Sequence, residues 1–517
     1  MAIRVFRYNW LMHRSLQQGI NPSIGKVMML ASLVLPAVLA RFYLLYLNPP
    51  LWLDEAMLGL NIRERGLVEL TYPLMYDQGA PFGYLWLLKG MTLIFGENEF
   101  ALRVPSLIAS GVSLWLLANL ASKIQGVAGR WFAVAAIAFS YPAIAYSVQA
   151  KQYSLDMMIT LALWLLAWRI FDNNKGGDGL GWLGWAGALA IWFSHPAVFT
   201  LAGIGVALLV FRYRFLNIHT RQQVWLAFGI WAVSFLALLL LQYRSLGNNN
   251  NLTAYWQEYF MPIGAGLPGW LFARLAELVR NPGGIWYWVP DWLTVTLVII
   301  GATALAARKN WWAVAFLVTM VATLGASALR MYPFGGRLGL FLTPGLMILI
   351  GASLDLFVLA LRRWQRVGLV LALFAAVALL YGGAKFSLEN VISPKQTENI
   401  RPVMEAASHG YRAGDVIYLY HFSAPVFAYY AGEYGLADAT TTVGENLAAG
   451  TGAYNSEGDK VAGYQRVWVM FSHLVDERYL AQRDEILQEM STQGKLRKSI
   501  NPKGTATELH LYDITYK

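Results

Sequence analysis

Asp54 and Glu55 stand a few residues beyond an apolar run, Val27 to Leu47, that is long enough to cross a membrane. An adjacent acid pair just outside a bilayer stays solvated at little cost. It is also placed to take a proton from a substrate arriving at that surface. The chemical reading makes Asp54 a general base, with Glu55 orienting or tuning it. The bland reading is a solvated loop start, or Asp54 capping a helix that begins at Ala56. A second group, Lys151-Gln152-Tyr153-Ser154-Leu155-Asp156, opens a later apolar run. Ionisable side chains set into a membrane helix are costly, and Lys151 with Asp156 would offer a phosphate ligand and a second acid. The same residues would also make a snorkelling lysine with a structural ion pair. His195 ends a run within Ser194-His195-Pro196, and Arg337 follows Tyr332-Pro333-Phe334-Gly335-Gly336. A guanidinium there can grip a lipid phosphate with two hydrogen bonds, or simply anchor among headgroups. Arg330 is a weaker version of Arg337, and Tyr153 completes the candidate phosphate-binding set. No metal-ligand spacing such as HExxH occurs, so the sequence requires no cofactor. A divalent cation would have to rest on Asp54 and Asp156.

The elements that position these residues follow from composition. Of 517 residues, 57% are hydrophobic and only 14% charged, against about 25% charged in ordinary soluble domains. The chain therefore reads as one polytopic, all-α membrane domain with a smaller soluble part. Its net charge of +10 lies largely in short loops between apolar runs, which argues for membrane topology and against nucleic acid. With no cysteine, disulfides and thiolate chemistry are excluded. Apolar runs fall at 27–47, 81–96, 101–122, 127–149, 153–171, 180–194, 197–211, 224–243, 291–307, 311–329, 337–360 and 367–384. The first is a full span rather than a short signal core. Arg4, Arg7, Arg14 and Lys26 precede it and place the N-terminus in the cytoplasm. Basic loops at Arg169 and Lys175, at Arg212 to Arg221, at Arg308 and Lys309, and at Arg362 to Arg366 fall inside if residues after 384 lie outside. An odd number of crossings is then needed. Splitting 127–149 at Ser140-Tyr141-Pro142 gives about 13 transmembrane helices, at the cost of Lys123 and Arg130 outside. Every candidate residue then falls on or near the exterior face. Glu97 to Arg103 fall on the other side, away from the site.

The reading divides the chain into a membrane domain, 1–384, and a soluble exterior α/β domain, 385–517. The first exterior loop, 48–80, carries a stretch from Ala56 to Arg65 expected to lie along the membrane interface. The loop 244–290 carries Trp256, Trp270, Trp286 and Trp288, suited to the headgroup layer or to capping a lipid cleft. In the soluble part, 398–410 and 475–493 read as helices. Val416–Tyr420, Val467–Phe471 and the alternation from Thr507 to Tyr512 read as strands.

Taken in order, four segments resemble the GT-C integral-membrane glycosyltransferases. They are Leu53-Asp54-Glu55-Ala56, the run from Phe95 to Ser106, Ala150-Lys151-Gln152-Tyr153-Ser154, and Arg337-Leu338 with Pro344. The likeness is to the branch of protein O-mannosyltransferases and the bacterial aminoarabinose transferase of lipid A. The resemblance implies an inverting transfer of sugar from a polyprenyl-phosphate carrier to a lipid, glycan or protein acceptor. The reaction would take place at the outer face of the plasma membrane, the bacterial inner membrane. It implies Asp54 as the catalytic acid of the first exterior loop and Asp156 as a second. Where that branch has a Lys-Pro-Pro-like start to its second span, this chain has Asp77-Gln78-Gly79-Ala80-Pro81, and Lys151 is the substitute. A transporter or flippase for a lipid-linked sugar would use the same charges to line a pathway. The early acid pair and the exterior domain favour the enzyme.

Overall fold

The protein is described by a computed structural model that covers residues 22–172, 179–246, 250–285, 288–445 and 456–514. Arg4, Arg7, Arg14, Lys175, Trp286 and the amides Asn248 and Asn249 lie outside the described residues. The membrane domain is helical. It comprises α1 (Val27–Tyr46), α2 (Leu53–Glu64), α3 (Phe82–Phe95), α4 (Glu99–Ile124), α5 (Val127–Ala138), α6 (Tyr141–Ala145), α7 (Tyr153–Asp172), α8 (Leu180–Phe193), α9 (Ala197–Phe211) and α10 (Ile218–Leu246). These are followed by α11 (Leu267–Arg280), α12 (Asp291–Ala307), α13 (Trp311–Ala328), α14 (Thr343–Ala360) and α15 (Gln365–Ile392). Seven described helical spans are long and apolar enough to cross a membrane, and a bent pair, Val127–Ala138 with Tyr141–Val148, makes an eighth. Four shorter apolar helices, α3, α8, α9 and α12, accompany them. Small residues let these helices approach closely, as expected where no water drives their association. A Cβ on Gly301 would collide with the Leu349 carbonyl, and one on Gly203 with that of Ala315.

Two of the expected crossings differ in the structure. Run 81–96 does not pass from one face to the other. Just before α3, Gln78 accepts from Lys151 at 2.7 Å, and midway Lys89 donates to the Ile62 carbonyl at 2.7 Å. Just after it, Glu97 pairs with Arg63 at 3.3 Å. Helix α3 thus lies beside α2, with both ends at one face. Run 127–149, in turn, is two helices bent by 55° at their break, a pair long and apolar enough together for one crossing. Its break frees carbonyls at the end of α5 that must find donors. Arg41, wholly buried, supplies them: it donates to Ile137 O at 3.2 Å, Ala138 O at 3.1 Å and Ser110 Oγ at 2.8 Å. Glu97 to Ser106 move to the face of Asp54. Lys123, over the Trp168 ring, and Arg130 move to the face of Arg212, which donates to Ile170 O at 3.1 Å.

The C-terminal part follows α15, which continues past Ala384 to Ile392. It contains α16 (Arg401–Gly410), α17 (Ser423–Tyr430) and α18 (Glu477–Gln493) around a five-stranded sheet. The strands are β1 (Val416–Leu419), β2 (Thr441–Val443), β3 (Arg466–Phe471), β4 (Gly494–Ile500) and β5 (Glu508–Ile514), in the order β2-β1-β3-β5-β4. β1 is parallel to β2 and β3, while β5 is antiparallel to β3 and β4. β1 and β3 read as continuous apolar runs because both faces are covered. The domain sits on α2. A Cβ on Gly59 would meet the Tyr429 ring at 2.8 Å, and Arg63 donates to Tyr429 O at 2.9 Å. The stretch from Ala56 to Arg65 therefore packs largely under protein, with Ala56, Leu58, Leu60 and Ile62 buried.

Candidate active site

Helix α2 carries both acids in its first turn, with Trp52 at its N-cap. Glu55 accepts from Trp52 N at 3.4 Å, closing that turn. It then receives Arg103 of α4 in a two-pronged pair, Nε to Oε1 at 3.1 Å and Nη2 to Oε2 at 2.9 Å. Ala150 N also donates to Oε1 at 2.6 Å. Both partners are 1% exposed. A carboxylate so fully used has no lone pair left for a substrate. Glu55 is not the solvated neighbour expected from the sequence. It ties α2 to α4 and to the segment before α7, and so orients the turn that holds Asp54. Its partner Arg103 is the residue that the sequence-derived topology put on the opposite face.

Asp54 points elsewhere, and its side chain keeps 21% exposure. Arg337 donates Nη2 to Asp54 Oδ2 at 2.8 Å, and Lys151 Nζ stands 4.0 Å from the same oxygen. Arg337 lies over three rings, with centroids at 5.2 Å for Trp52, 5.4 Å for Trp256 and 5.9 Å for Tyr153. Burial pushes the Asp54 carboxyl up. The charges of Lys151 and Arg337, the hydrogen bond from Arg337 and the charge of His473 outweigh it and hold Asp54 below the usual carboxylate range. Burial brings the Lys151 ammonium down to about 8. The charge of Arg337 adds to the fall, while Asp54 and Glu55 oppose it.

Asp54, Lys151, Tyr153 and Arg337 thus converge as the sequence suggested. Asp156, His195 and Arg330 do not join them. Asp156 is buried within the bundle, with Ser194 beside its carboxyl. The His195 ring meets the Gln242 amide. Arg330 is exposed, in left-handed backbone with φ 56°. Among the described residues no three His, Cys, Asp or Glu side chains gather as metal ligands. Asp54 is met by two cations, an arrangement that does not fit a metal bridging it to Asp156.

A cavity of about 620 Å³ opens beside this cluster. Leu44, Tyr141 and Phe386 give it an apolar wall, while Arg337, Arg280 and Lys395 give it a cationic one. Trp52 and Arg337 both line it, and each has a buried N–H, Nε1 and Nε respectively, with no protein partner. Buried donors seldom stay unpaired, so these mark where an anionic or hydroxylated ligand would sit. Sequence reading missed Trp52 and Arg280. Trp52 adjoins the acid pair and was within reach, but nothing local singles out Arg280.

The family model of dolichyl-phosphate-mannose-protein mannosyltransferases matches residues 79–243. No curated protein matches the sequence significantly. Among solved structures, ArnT from Cupriavidus metallidurans bound to undecaprenyl phosphate is similar, with a TM-score of 0.53 and 12% identity over 94% of this chain and 97% of that one. The Archaeoglobus fulgidus oligosaccharyltransferase, in a complex with zinc and sulfate, has a TM-score of 0.53 and 13% identity over 93% of this chain and 73% of its own. The fold is that of the GT-C membrane glycosyltransferases. Together the matches bear out the likeness to the protein O-mannosyltransferase and ArnT-like branch within that class, and the chain is a multi-pass membrane protein.

Proposed function

We propose that this protein is an inverting glycosyltransferase. It moves a sugar from a polyprenyl-phosphate carrier to an acceptor at the outer face of the plasma membrane, the face that bears the C-terminal domain. The observation that carries the reading is Arg337. It holds Asp54 through Nη2, yet keeps a buried Nε–H unpartnered beside a cavity with an apolar wall. The carrier tail lies along the apolar wall and its phosphate takes Arg337, with Lys151 adding charge. Withdrawing Arg337 removes one of the interactions that hold the Asp54 carboxyl down, which makes it a better base when a donor is present. The acceptor hydroxyl attacks the anomeric carbon from the face opposite the phosphate. The new C–O bond forms as the bond to the phosphate oxygen breaks, the proton passes to Asp54, and the phosphate departs with the bond's electrons. Arg337 and Lys151 stabilise that developing charge. Where the acceptor is itself a phosphate, Asp54 only orients it.

The test is sugar transfer in proteoliposomes from a panel of radiolabelled undecaprenyl-phosphate sugars, wild type against Asp54→Asn. Transfer should fall about 10²- to 10⁴-fold, the usual contribution of a general base, in a variant that melts like wild type. Equal rates would remove Asp54 as the base. Movement of lipid between leaflets without transfer would favour the flippase.

A further inference from the structure

The strand of chain that delivers Asp54, residues 48–53, is held from above by the soluble domain and the linker into it. Arg401 donates Nη1 to Asn48 O at 2.9 Å, and Leu51 N donates to Tyr430 Oη at 2.8 Å. Leu53 N, one residue before Asp54, donates to Glu398 Oε2 at 3.0 Å. The other oxygen of Glu398 meets His473 Nδ1 at 2.8 Å. His473 adopts left-handed backbone, φ 60°, between the rings of Phe422 and Tyr479 at 5.2 and 5.7 Å. An ordinary residue holds that conformation only when its surroundings impose it. The linker is strapped down as well, since Thr507 Oγ1 donates to Asn399 O at 3.0 Å. Glu398 also lines the cavity.

We propose that the Glu398–His473 pair is a positioning device for Asp54, and that this is what the soluble domain contributes to the reaction. Leu53 N is one of the donors that a helix start leaves unpaired. Only a rigid acceptor fixes the first turn of α2 in one orientation. His473 supplies that rigidity by fixing the second oxygen of Glu398. Glu55 and Arg103 hold the turn from the membrane side, and Glu398 and His473 hold it from the soluble side. The inference rests on the reading of Asp54 as the base, so its test has one arm that does not depend on turnover.

That arm is hydrogen–deuterium exchange of the full chain in detergent, followed over peptides covering residues 50–56. Glu398→Ala should speed exchange there while peptides from β1 and β3 stay protected. Glu398→Gln keeps an oxygen for Leu53 N and should restore protection. The second arm is turnover with whichever undecaprenyl-phosphate sugar the wild type uses. In Glu398→Ala, kcat should drop about 10-fold with the donor KM little changed, as expected for a misplaced catalytic group. Glu398→Gln should recover most of it. Should Glu398→Ala not fold, His473→Asn, which tolerates the left-handed backbone, should give the same pattern, a few-fold in size. Unchanged exchange over 50–56 would overturn the proposal, and so would faster exchange with unchanged kcat. Turnover retained by Asp54→Asn as well would instead show that the reading of Asp54 had failed.

Discussion

Asp54 and Asp355 are carboxylates at opposite ends of the helical bundle, and their surroundings teach what separates a site from a joint. Asp355, near the end of α14, accepts from Gly126 N at 2.7 Å and Gly129 N at 3.0 Å. It caps the start of α5 as an anion caps any helix N-terminus. The donors are backbone amides, and the packing is tight: a Cβ on Gly129 would crowd both Asp355 and the Gly351 carbonyl. Asp54 is met instead by two long cationic side chains, beside a cavity and with exposure remaining. Amide donors cannot be withdrawn without unfolding the helix. Arg337 and Lys151 can turn to another anion.

The contrast is most open to being broken by paired amides. Asp54→Asn should remove transfer and leave melting almost unchanged. Asp355→Asn should keep transfer within a few-fold and lower stability by about 1–3 kcal/mol, the cost of an unsatisfied buried group. Melting in detergent and transfer rates on the same samples would check both, and a reversed pattern would erase the distinction. Next in size is Arg337→Gln. Charged hydrogen bonds are worth about 1.5–3 kcal/mol, so undecaprenyl phosphate should bind roughly 10- to 100-fold more weakly by titration calorimetry. Arg337→Lys should regain only part, since a point charge cannot fork. Unaltered affinity would detach Arg337 from the carrier.

The smallest effect sharpens the picture through pH. Lys151 titrates at about 8, so it is charged below that value and neutral above. Undecaprenyl phosphate is already fully ionised there, its second proton leaving near a pH of about 6. Binding should therefore weaken a few-fold as pH rises through about 8, and Lys151→Arg should flatten the curve. On the acid side, the depressed Asp54 carboxyl keeps its charge until pH falls below the usual carboxylate range.

Much of this site was legible along the chain. Asp54, Lys151 and Arg337 were each marked by a charged side chain beside an apolar run, where a charge is costly and needs a reason. Tyr153 came with Lys151. Asp156 and His195 carried the same mark, but they serve other contacts inside the bundle, and sequence spacing cannot say which neighbour a buried group meets. The misassigned crossing has a similar cause. Helix α3 is apolar enough to resemble a span, yet its Lys89 and flanking Gln78 and Glu97 bind groups at one face. Hydropathy registers that a helix is buried, not whether lipid or protein buries it. Glu398 and His473 lie more than 340 residues beyond Asp54 in a domain with its own sheet, and no local pattern connects them.

By itself the sequence determined that this is a membrane protein, because so few charges cannot cover a soluble surface of this size. It also determined that an acid pair follows the first span. Only the tertiary structure decided which of the two acids is closed in a buried ion pair and which keeps exposure. Successive residues on a helix point about 100° apart. Once α2 is pinned between α4 and the C-terminal domain, Glu55 is turned into Arg103 and Asp54 toward Arg337 and Lys151.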